Sequence, residues 1–355
     1  MTTIHAVLPD GIDDPARPSG GNVYDRRVCS GLASQGWVVH EHAVRGFWAR
    51  PHAGSFAELA GVVQRIPDDA VVLLDGMVAS AAPEVLVPHA DRLRLVVLVH
   101  MPLGHRPPSD EVDDVRTRER AVLSAAVAVL TTSTWCRRRL LELYQLSADR
   151  IRVAEPGVDT AELATGTADG GALLCVAAVT FDKGHDVLLD ALATISDRSW
   201  HCVCVGSLGR DPAYAESLRR RSLDGSLADR VDFLGPRTGA ELDRSYAAAD
   251  LAVLASRAET YGMVVAEALA RGLPVVASEV GGLPETLGQG AGGIRPGLLV
   301  PPDDAVALGG ALRAWLDDAG LRRRLRAAAR ERRESLPGWS NATSMVAGTL
   351  AGASR

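Results

Sequence analysis

Short, continuous apolar runs alternate with longer segments of helical periodicity along the whole chain. In the first half, five runs have the valine- and leucine-rich character of strands that are buried on both faces; they are 4–8, 37–39, 70–74, 93–99 and 126–130. Strands of that kind belong to parallel sheets with helices on both sides. The first half therefore predicts a doubly wound α/β domain.

The alternation is interrupted once. Residues 156–171 are rich in glycine, threonine and other small residues, which favours a linker. The pattern then resumes with apolar runs at 172–179, 200–205, 230–234, 251–255, 274–277 and 298–300. We therefore predict two Rossmann-like domains facing a cleft, at residues 1–160 and 168–337, with a C-terminal helix at about 338–355 that packs back on the first domain.

Composition narrows the possible partners. The net charge of −6 argues against a general electrostatic grip on nucleic acid or on an anionic membrane. No stretch reaches the 18 apolar residues typical of a membrane span, and the first residues lack a secretion signal, so we predict a cytoplasmic protein without membrane association. The five cysteines show no zinc spacing and lie mostly in apolar runs, which favours buried, reduced thiols and no metal site.

Lysine occurs once, at Lys183, among 38 basic residues. A bias toward arginine has filled the other basic positions, so a single lysine can arise by chance. The alternative is that this position needs a compact, mobile ammonium group rather than a flat guanidinium.

The segment 256–285 carries the most information about function. A predicted strand ends before it, a polar loop follows, and a helix begins near Gly262. The free backbone amides at Gly262, Met263 and Val264 and the helix dipole favour an anion there. Two carboxylates, Glu259 and Glu267, flank this helix start and favour hydroxyl partners, since carboxylates accept hydrogen bonds from sugar hydroxyls. Alternatively, Glu259 caps the helix and Glu267 faces solvent.

The E-x7-E spacing, the glycine after Tyr261 and the later ASEVGGLPE sequence resemble the donor-binding signature of retaining glycosyltransferase family four, which has the GT-B fold. The resemblance runs in order from about residue 3 to 340. Other segments that contribute to it are GGN at 20–22, VLVHMP with His100, PGVD at 156–159, FDKGHDVLLDAL with Lys183, and GLLVPPDD at 297–304.

The resemblance implies a role for each matching residue. Lys183 contacts the donor diphosphate, Glu259 contacts the hexose and Glu267 contacts the ribose. The first domain binds the acceptor, and the second binds the nucleotide-sugar donor. The remaining implied donor contacts are the Gly20–Gly21 loop over the diphosphate, His100 at the sugar, the amides of Gly262, Met263 and Val264 at the hexose and phosphates, and the loop with Gly235 and Arg237 at the base.

One position departs from the family pattern. The family usually has a second diphosphate-binding arginine five or six residues before the lysine, where this chain has Ala177 and Ala178. Thr180 offers a weaker hydrogen bond in its place, and Arg237 or Arg257 can approach from elsewhere in the fold. Loss of one cationic partner costs about 1.5–3 kcal/mol if nothing compensates for it.

The sequence thus predicts a retaining hexosyltransferase that uses a UDP- or GDP-sugar and a hydroxyl acceptor, with a soluble small molecule favoured as acceptor. No DxD occurs, so no metal and no cofactor are predicted. Two alternatives stay open: a nucleotide-sugar-binding homologue without turnover, and a non-hydrolysing nucleotide-sugar epimerase. The oligomeric state cannot be predicted from the sequence.

Overall fold

A computed structural model describes residues 2–46, 48 and 50–354. Met1 and Arg355, the outer ends of the predicted first domain and C-terminal helix, lie outside the described residues. The chain forms two compact units. The first comprises the chain up to Asp13, Gly20–Gly157 and the chain from Pro337 on, and the second comprises Asp14–Ser19 and Val158–Leu336.

The first unit contains a six-stranded parallel sheet in the order β2-β1-β3-β4-β5-β6. Its strands are β1 Thr3–Pro9, β2 Val38–Val44, β3 Val71–Asp75, β4 Arg94–Val99, β5 Ala128–Thr131 and β6 Ile151–Val153. Its helices are α1 Gly20–Ser34, α2 Ala53–Arg65, α3 Gly76–Ala81, α4 Pro83–Leu86, α5 Val112–Ala125, α6 Thr134–Tyr144 and, from the end of the chain, α14 Trp339–Ala353.

The central strands of this sheet are covered on both faces. Alternate residues of β3 pack into different layers: Val72 and Leu74 join the side chains of α2 and α5, whereas Leu73 joins those of α1 and α14. Every residue of β3 is buried. Strand β2 differs because it lies at the sheet edge, and its exposed polar residues explain why the apolar run at 37–39 predicted only its beginning.

The second unit contains another six-stranded parallel sheet, in the order β12-β11-β10-β7-β8-β9. Its strands are β7 Ala172–Val176, β8 His201–Val205, β9 Val231–Phe233, β10 Leu251–Leu254, β11 Val275–Ser278 and β12 Gly297–Val300. Its helices are α7 His185–Ala193, α8 Pro212–Ser222, α9 Gly239–Ala247, α10 Met263–Ala270, α11 Leu283–Leu287, α12 Ala305–Asp317 and α13 Ala319–Arg333.

The order of the second sheet is the classical dinucleotide-fold order 3-2-1-4-5-6 when its strands are counted from β7. Strands β10 and β11 are buried at every residue, as the continuous apolar runs predict. The two predicted Rossmann-like folds, with their parallel sheets and interleaved helices, are thus confirmed.

Helix α14 packs on α1 within the first unit. Ala342, Val346 and Leu350 supply its buried face. The contact depends on Gly31, since a Cβ atom there would lie 2.3 Å from the Thr343 hydroxyl oxygen. None of the helices in the described ranges combines the length and the apolar character that crossing a membrane requires.

Candidate nucleotide-sugar site

Open parallel sheets bind ligands beyond the carboxyl ends of their strands, at the point where the strand order reverses. In the second unit that point lies between β7 and β10, which are neighbours in the sheet although about 75 residues separate them. Lys183 follows β7 and Glu259 follows β10, so the topology brings these two predicted site residues to the same sheet edge.

The loop that carries Lys183 is fixed to the loop after β10. Residues Phe181–Lys183 form a short 3₁₀ turn, and Gly184 then starts α7 with a left-handed backbone, φ 64°. A Cβ atom on Gly184 would lie 2.0 Å from the Ala255 carbonyl oxygen, so the close approach of the two loops requires glycine. The Arg257 amide also donates to the Asp182 carbonyl, at 2.8 Å.

Lys183 and Glu259 form an ion pair at this edge. Nζ of Lys183 lies 2.5 Å from Oε1 of Glu259, and the Ser256 hydroxyl donates to the same oxygen at 3.0 Å. The two side chains are 27% and 13% exposed, so both keep access to solvent. The ammonium group therefore lies against the loop that leads into α10 instead of extending into bulk solvent.

Helix α10 begins beside this pair without a capping side chain. Gly262 precedes it with φ 86°, and the half-buried Met263 and Val264 form its first turn. The first amides of a helix have no intrahelical acceptor, and the helix dipole makes this end positive. The arrangement can therefore hold an anionic oxygen, and anion binding by these three residues stays a prediction.

The loop after β11 packs closely against the backbone of the Glu259 loop. A Cβ atom on Gly281 would lie 1.6 Å from the Glu259 carbonyl oxygen, and one on Gly282 would lie 2.1 Å from that of Thr260. The Gly282 amide donates to the Glu259 carbonyl at 3.1 Å, and the Thr286 hydroxyl donates to the Tyr261 carbonyl. The double glycine of the ASEVGGLPE segment therefore serves close backbone packing.

Glu267 lies half-buried in α10, one turn beyond the helix start, and has a protein partner. The Tyr246 hydroxyl donates to its Oε2 at 2.7 Å, and Arg271 lies over the Tyr246 ring with its guanidinium carbon 4.4 Å from the ring centre. Burial raises the pKa of the Glu267 carboxyl, and the Tyr246 hydrogen bond opposes that rise. The reading in which Glu267 simply faces solvent is therefore wrong.

This raised pKa predicts how stability depends on pH. The folded chain binds the Glu267 proton more tightly than the unfolded chain, so the carboxyl stabilises the fold most below its ordinary pKa of 4.5 and loses that contribution as pH rises through the folded pKa. Glutamine cannot ionise. We therefore expect the melting temperature of Glu267→Gln, relative to the unmodified chain, to increase between pH 4 and pH 7, whereas Glu216→Gln on the exposed surface of α8 shows no such trend.

The other residues of the second unit that the sequence assigns to the donor also follow strands of its sheet. The Thr180 carbonyl accepts from the Lys183 amide at 3.0 Å and so begins the 3₁₀ turn. Gly235 follows β9 with φ 73°, and Arg237 donates to the Ser245 hydroxyl at 2.9 Å. Strand β9 lies at the edge of the sheet, with β8 between it and β7. Gly235 and Arg237, which the sequence predicts at the base, are therefore separated from the Lys183 loop by the width of one strand.

Arg257, one of the two arginines that the sequence offers in place of the missing one, is engaged by two carboxylates and an aromatic ring. Its guanidinium pairs with Asp186 at 2.8 Å and with Asp303 at 2.5 Å, and its carbon lies 4.0 Å from the centre of the Phe181 ring. The hydrogen bonds to Asp186 and Asp303 raise the pKa of Arg257 above its ordinary value. Arg257 therefore fixes the Lys183 turn to its surroundings.

The first unit has its own cluster of site residues. Its strand order reverses between β1 and β3, and Gly20, Gly21 and His100 all follow strands at that edge. A Cβ atom on Gly21 would lie 3.3 Å from Cδ2 of His100, so the structure brings the glycine pair and the histidine together. One expectation needs correction: Gly20 and Gly21 are not a loop but the first turn of α1, because the helix starts before the apolar period at 23–33 from which it was predicted.

Two acidic residues that the sequence analysis missed surround His100. Its Nε2 lies 2.8 Å from Oδ1 of Asp25 on α1 and 3.7 Å from Oδ2 of Asp75 at the end of β3. Burial raises the pKa of the Asp75 carboxyl to about 6, and the nearby Asp25 adds to the rise.

The only local indication of this cluster in the sequence was the LLDG segment, in which Asp75 ends a buried strand and precedes a helix. Tyr246 and Ser256 were missed as partners of the two glutamates.

The cysteines are core residues. All five are free and buried, which confirms the prediction of buried thiols. Cys175, Cys204 and His185 have donor atoms within 4.8 Å of one another, a spacing that metal ligands also show. Each is at most 2% exposed, and Sγ of Cys175 lies 3.6 Å from Nε2 of His185, so the group is part of the core beneath the Lys183 turn. The donor atoms of Asp25, Asp75 and His100, the cluster of the first unit described above, also lie within 4.8 Å of one another.

The chain is similar in sequence to a known protein family and to several curated proteins. Residues 167–332 match the family model described as glycosyl transferases group 1. The D-inositol 3-phosphate glycosyltransferase of Acidothermus cellulolyticus is 34% identical over 220 residues, 57% of this chain and 48% of the relative. The enzyme of that name from Kineococcus radiotolerans is 35% identical over 246 residues, 62% and 56% of the two chains. The chain thus spans about half the length of the curated relatives it matches.

Solved structures resemble the chain over almost its whole length. Sucrose-phosphate synthase from Thermosynechococcus elongatus superposes with a TM-score of 0.81 at 23% identity and covers 99% of both chains. Anabaena HepE in complex with UDP-glucose gives 0.79 at 19% identity, covering 99% of this chain and 100% of HepE. At these identities the likeness shows the fold. The chain therefore has the GT-B fold, and its residues 167–332 match the group 1 glycosyltransferase family.

Proposed function

We propose that the chain is a retaining glycosyltransferase that moves a hexosyl unit from a nucleotide-diphosphate sugar to a hydroxyl acceptor. The observation that carries the proposal is the Lys183–Glu259 pair beside the uncapped start of α10, at the reversal point of the second sheet. An ammonium group, free helix amides and a carboxylate at one place match the diphosphate and the hydroxyls of such a donor.

The chemistry that these groups supply is electrostatic. When the bond between the sugar and the diphosphate breaks, negative charge develops on the leaving phosphate oxygens. Lys183 and the amides of Met263 and Val264 are positioned to stabilise that charge, and such preorganised groups act most strongly in the transition state. We propose that Glu259 then binds hexose hydroxyls, Glu267 binds the ribose, and Gly235 with Arg237 contacts the base.

In the first unit, we propose that His100 binds the transferred sugar and that the α1 amino end, with Gly20 and Gly21, binds phosphate oxygens. Helix α1 has no acidic residue in its first turn, which suits a negatively charged ligand. Lys183 and the helix ends supply positive charge without a metal ion, so we further propose that transfer needs no metal. The buried free cysteines support a reducing, cytoplasmic location.

The relatives suggest which substrates to test first. HepE was solved with UDP-glucose, which supports a UDP-sugar as donor, with GDP-sugars as the alternative. The matched curated relatives carry the name D-inositol 3-phosphate glycosyltransferase, which supports testing a soluble polyol or polyol phosphate as acceptor.

The test is a transfer assay with UDP-glucose, UDP-N-acetylglucosamine and GDP-mannose against a panel of polyols that includes D-inositol 3-phosphate. We expect a glycoside whose anomeric configuration by NMR equals that of the donor, formed equally with EDTA and with Mg²⁺. Glu259→Ala should slow transfer by at least tenfold, whereas Glu216→Ala, on the exposed surface of α8, should not. Normal transfer by Glu259→Ala, or an inverted product, would contradict the proposal.

A second candidate is a nucleotide-sugar-binding protein without turnover. The observations that favour it are Ala177 and Ala178 at the position of the usual arginine, together with the engagement of Arg257 by Asp186 and Asp303. Tight binding of UDP or GDP by calorimetry, with no product or hydrolysis across the panel, would support this candidate over the enzyme.

A further inference from the structure

We propose that Asp25 and Asp75 are positioning residues that hold His100 as an imidazolium and leave its Nδ1–H for the sugar ligand. The inference rests on the proposed function for the identity of that ligand. The three residues come from α1, the end of β3 and the residue after β4. The carboxyl side chains are 2% and 6% exposed, whereas the imidazole is 20% exposed, so the acids lie behind the ring.

The hydrogen bonds determine which ring nitrogen carries a proton. An ionised carboxylate only accepts hydrogen bonds, so Nε2 of His100 must donate to Asp25. Oδ1 of Asp75 accepts from the amides of Met77 and Val78 at 2.9 and 3.0 Å, which fixes this carboxylate as the cap of α3. Its other oxygen is the one that lies 3.7 Å from Nε2.

Neighbouring atoms hold the ring in this orientation. The Tyr24 ring meets it edge-on with ring centres 5.3 Å apart, and Gly21 lies against its Cδ2 side. Within the described residues, no hydrogen bond is made by Nδ1, and this atom is not fully buried. Nδ1 is therefore the nitrogen that a ligand can reach.

The charges around the ring favour its protonated form. Burial alone would lower the pKa of His100, but the carboxylates of Asp25 and Asp75 outweigh it and raise the pKa. Among the described residues, the other titratable group against the ring is Tyr24, whose hydroxyl donates to the Ala154 carbonyl. Burial raises the pKa of Tyr24, so it stays neutral.

A protonated ring has a consequence for recognition. Nδ1 of an imidazolium donates a hydrogen bond and cannot accept one. The ligand atom at His100 must then be an oxygen that accepts, either a sugar hydroxyl oxygen or an anionic oxygen. A neutral ring with its proton on Nε2 would instead accept from a sugar hydroxyl, so the two carboxylates select the direction of this hydrogen bond.

The test follows the histidine ring signals of the full chain by NMR as pH is varied, with His100 assigned by loss of its signal in His100→Gln. We expect a His100 midpoint above 6.5, a decrease of at least about one pH unit in Asp25→Asn, and a smaller decrease in Asp75→Asn. Asparagine at 75 can still cap α3, which guards against simple misfolding. Glu41→Gln, which removes a carboxylate that pairs with Arg26 of α1, should leave the midpoint unchanged.

A midpoint at or below 6.5 in the unmodified chain, or one that Asp25→Asn leaves unchanged, would overturn the inference. In the transfer assay, the basic limb of kcat/KM against pH should move to lower pH in Asp25→Asn by the same amount as the NMR midpoint. A raised NMR midpoint in a chain that transfers no sugar would refute the proposed function and leave the carboxylate–imidazole assignment standing, because the titration does not depend on turnover.

Discussion

Replacing Lys183 by alanine is expected to lower kcat/KM for sugar transfer by about 10²–10³-fold, the usual effect of removing one preorganised group that stabilises developing charge. Lys183 is the only lysine of the chain, and its ammonium group pairs with Glu259 in the loop that leads into α10, at the reversal point of the second sheet. The loss should appear mainly in kcat, because the charge on the leaving diphosphate increases as the bond breaks. Steady-state kinetics with a nucleotide sugar measure it.

The Lys183→Ala variant also leaves the 13%-exposed Glu259 carboxylate without its cation, which can destabilise the second unit. The double variant with Glu259→Gln removes that complication, since glutamine can still accept from Ser256. We expect the double variant to recover the melting temperature without recovering activity. Lys183→Arg is expected to recover only part of the activity, because a planar guanidinium replaces a compact ammonium. A folded Lys183→Ala variant with less than a fivefold loss would remove Lys183 from the mechanism.

Replacing Gly184 by alanine is expected to destabilise the second unit by about 2–5 kcal/mol or to prevent its folding. The left-handed backbone at φ 64° costs alanine about 1–2 kcal/mol. The rest comes from overlap with the Ala255 carbonyl oxygen, 2.0 Å from the new methyl carbon, which forces the β7 and β10 loops apart at a typical overpacking cost of about 1–3 kcal/mol.

Gly225→Ala is the matched control for this prediction. Gly225 has a similar backbone, φ 59°, but a Cβ atom there would meet nothing within 4 Å. Gly225→Ala should lose only the stability that the left-handed backbone costs alanine, about 1–2 kcal/mol. Urea unfolding followed by fluorescence measures both variants, and inclusion-body expression of Gly184→Ala beside soluble Gly225→Ala would give the same ranking. Equal stability of the two variants would show that the loop contact does not constrain the fold.

The fold was predictable because its central strands are buried on both faces. Runs such as 70–74 and 251–255 predicted β3 and β10 within a residue or two, since nothing in a buried parallel strand interrupts the apolar pattern. Strand β2 was predicted only at its start, because an edge strand exposes polar residues at intervals that no continuous apolar run reveals.

The candidate site was predictable only in part. The free amides at the start of α10 could be predicted from the local sequence. The prediction for Lys183 came from its rarity and from the family resemblance. The direct contact between Lys183 and Glu259 could not be predicted, since it depends on β7 and β10 being neighbours in the sheet. Asp25 and Asp75 were missed for the same reason: a helix, a strand end and a loop converge on His100 from three separate parts of the chain.

Three of the glycines that lie against carbonyl oxygens, Gly184, Gly281 and Gly282, hold the loops after β7, β10 and β11 together before any ligand binds. Such a surface has little freedom left to lose on association, so more of the interaction energy remains available for affinity. Saturation with a nucleotide diphosphate should therefore change backbone amide exchange at residues 180–184 and 255–262 only slightly.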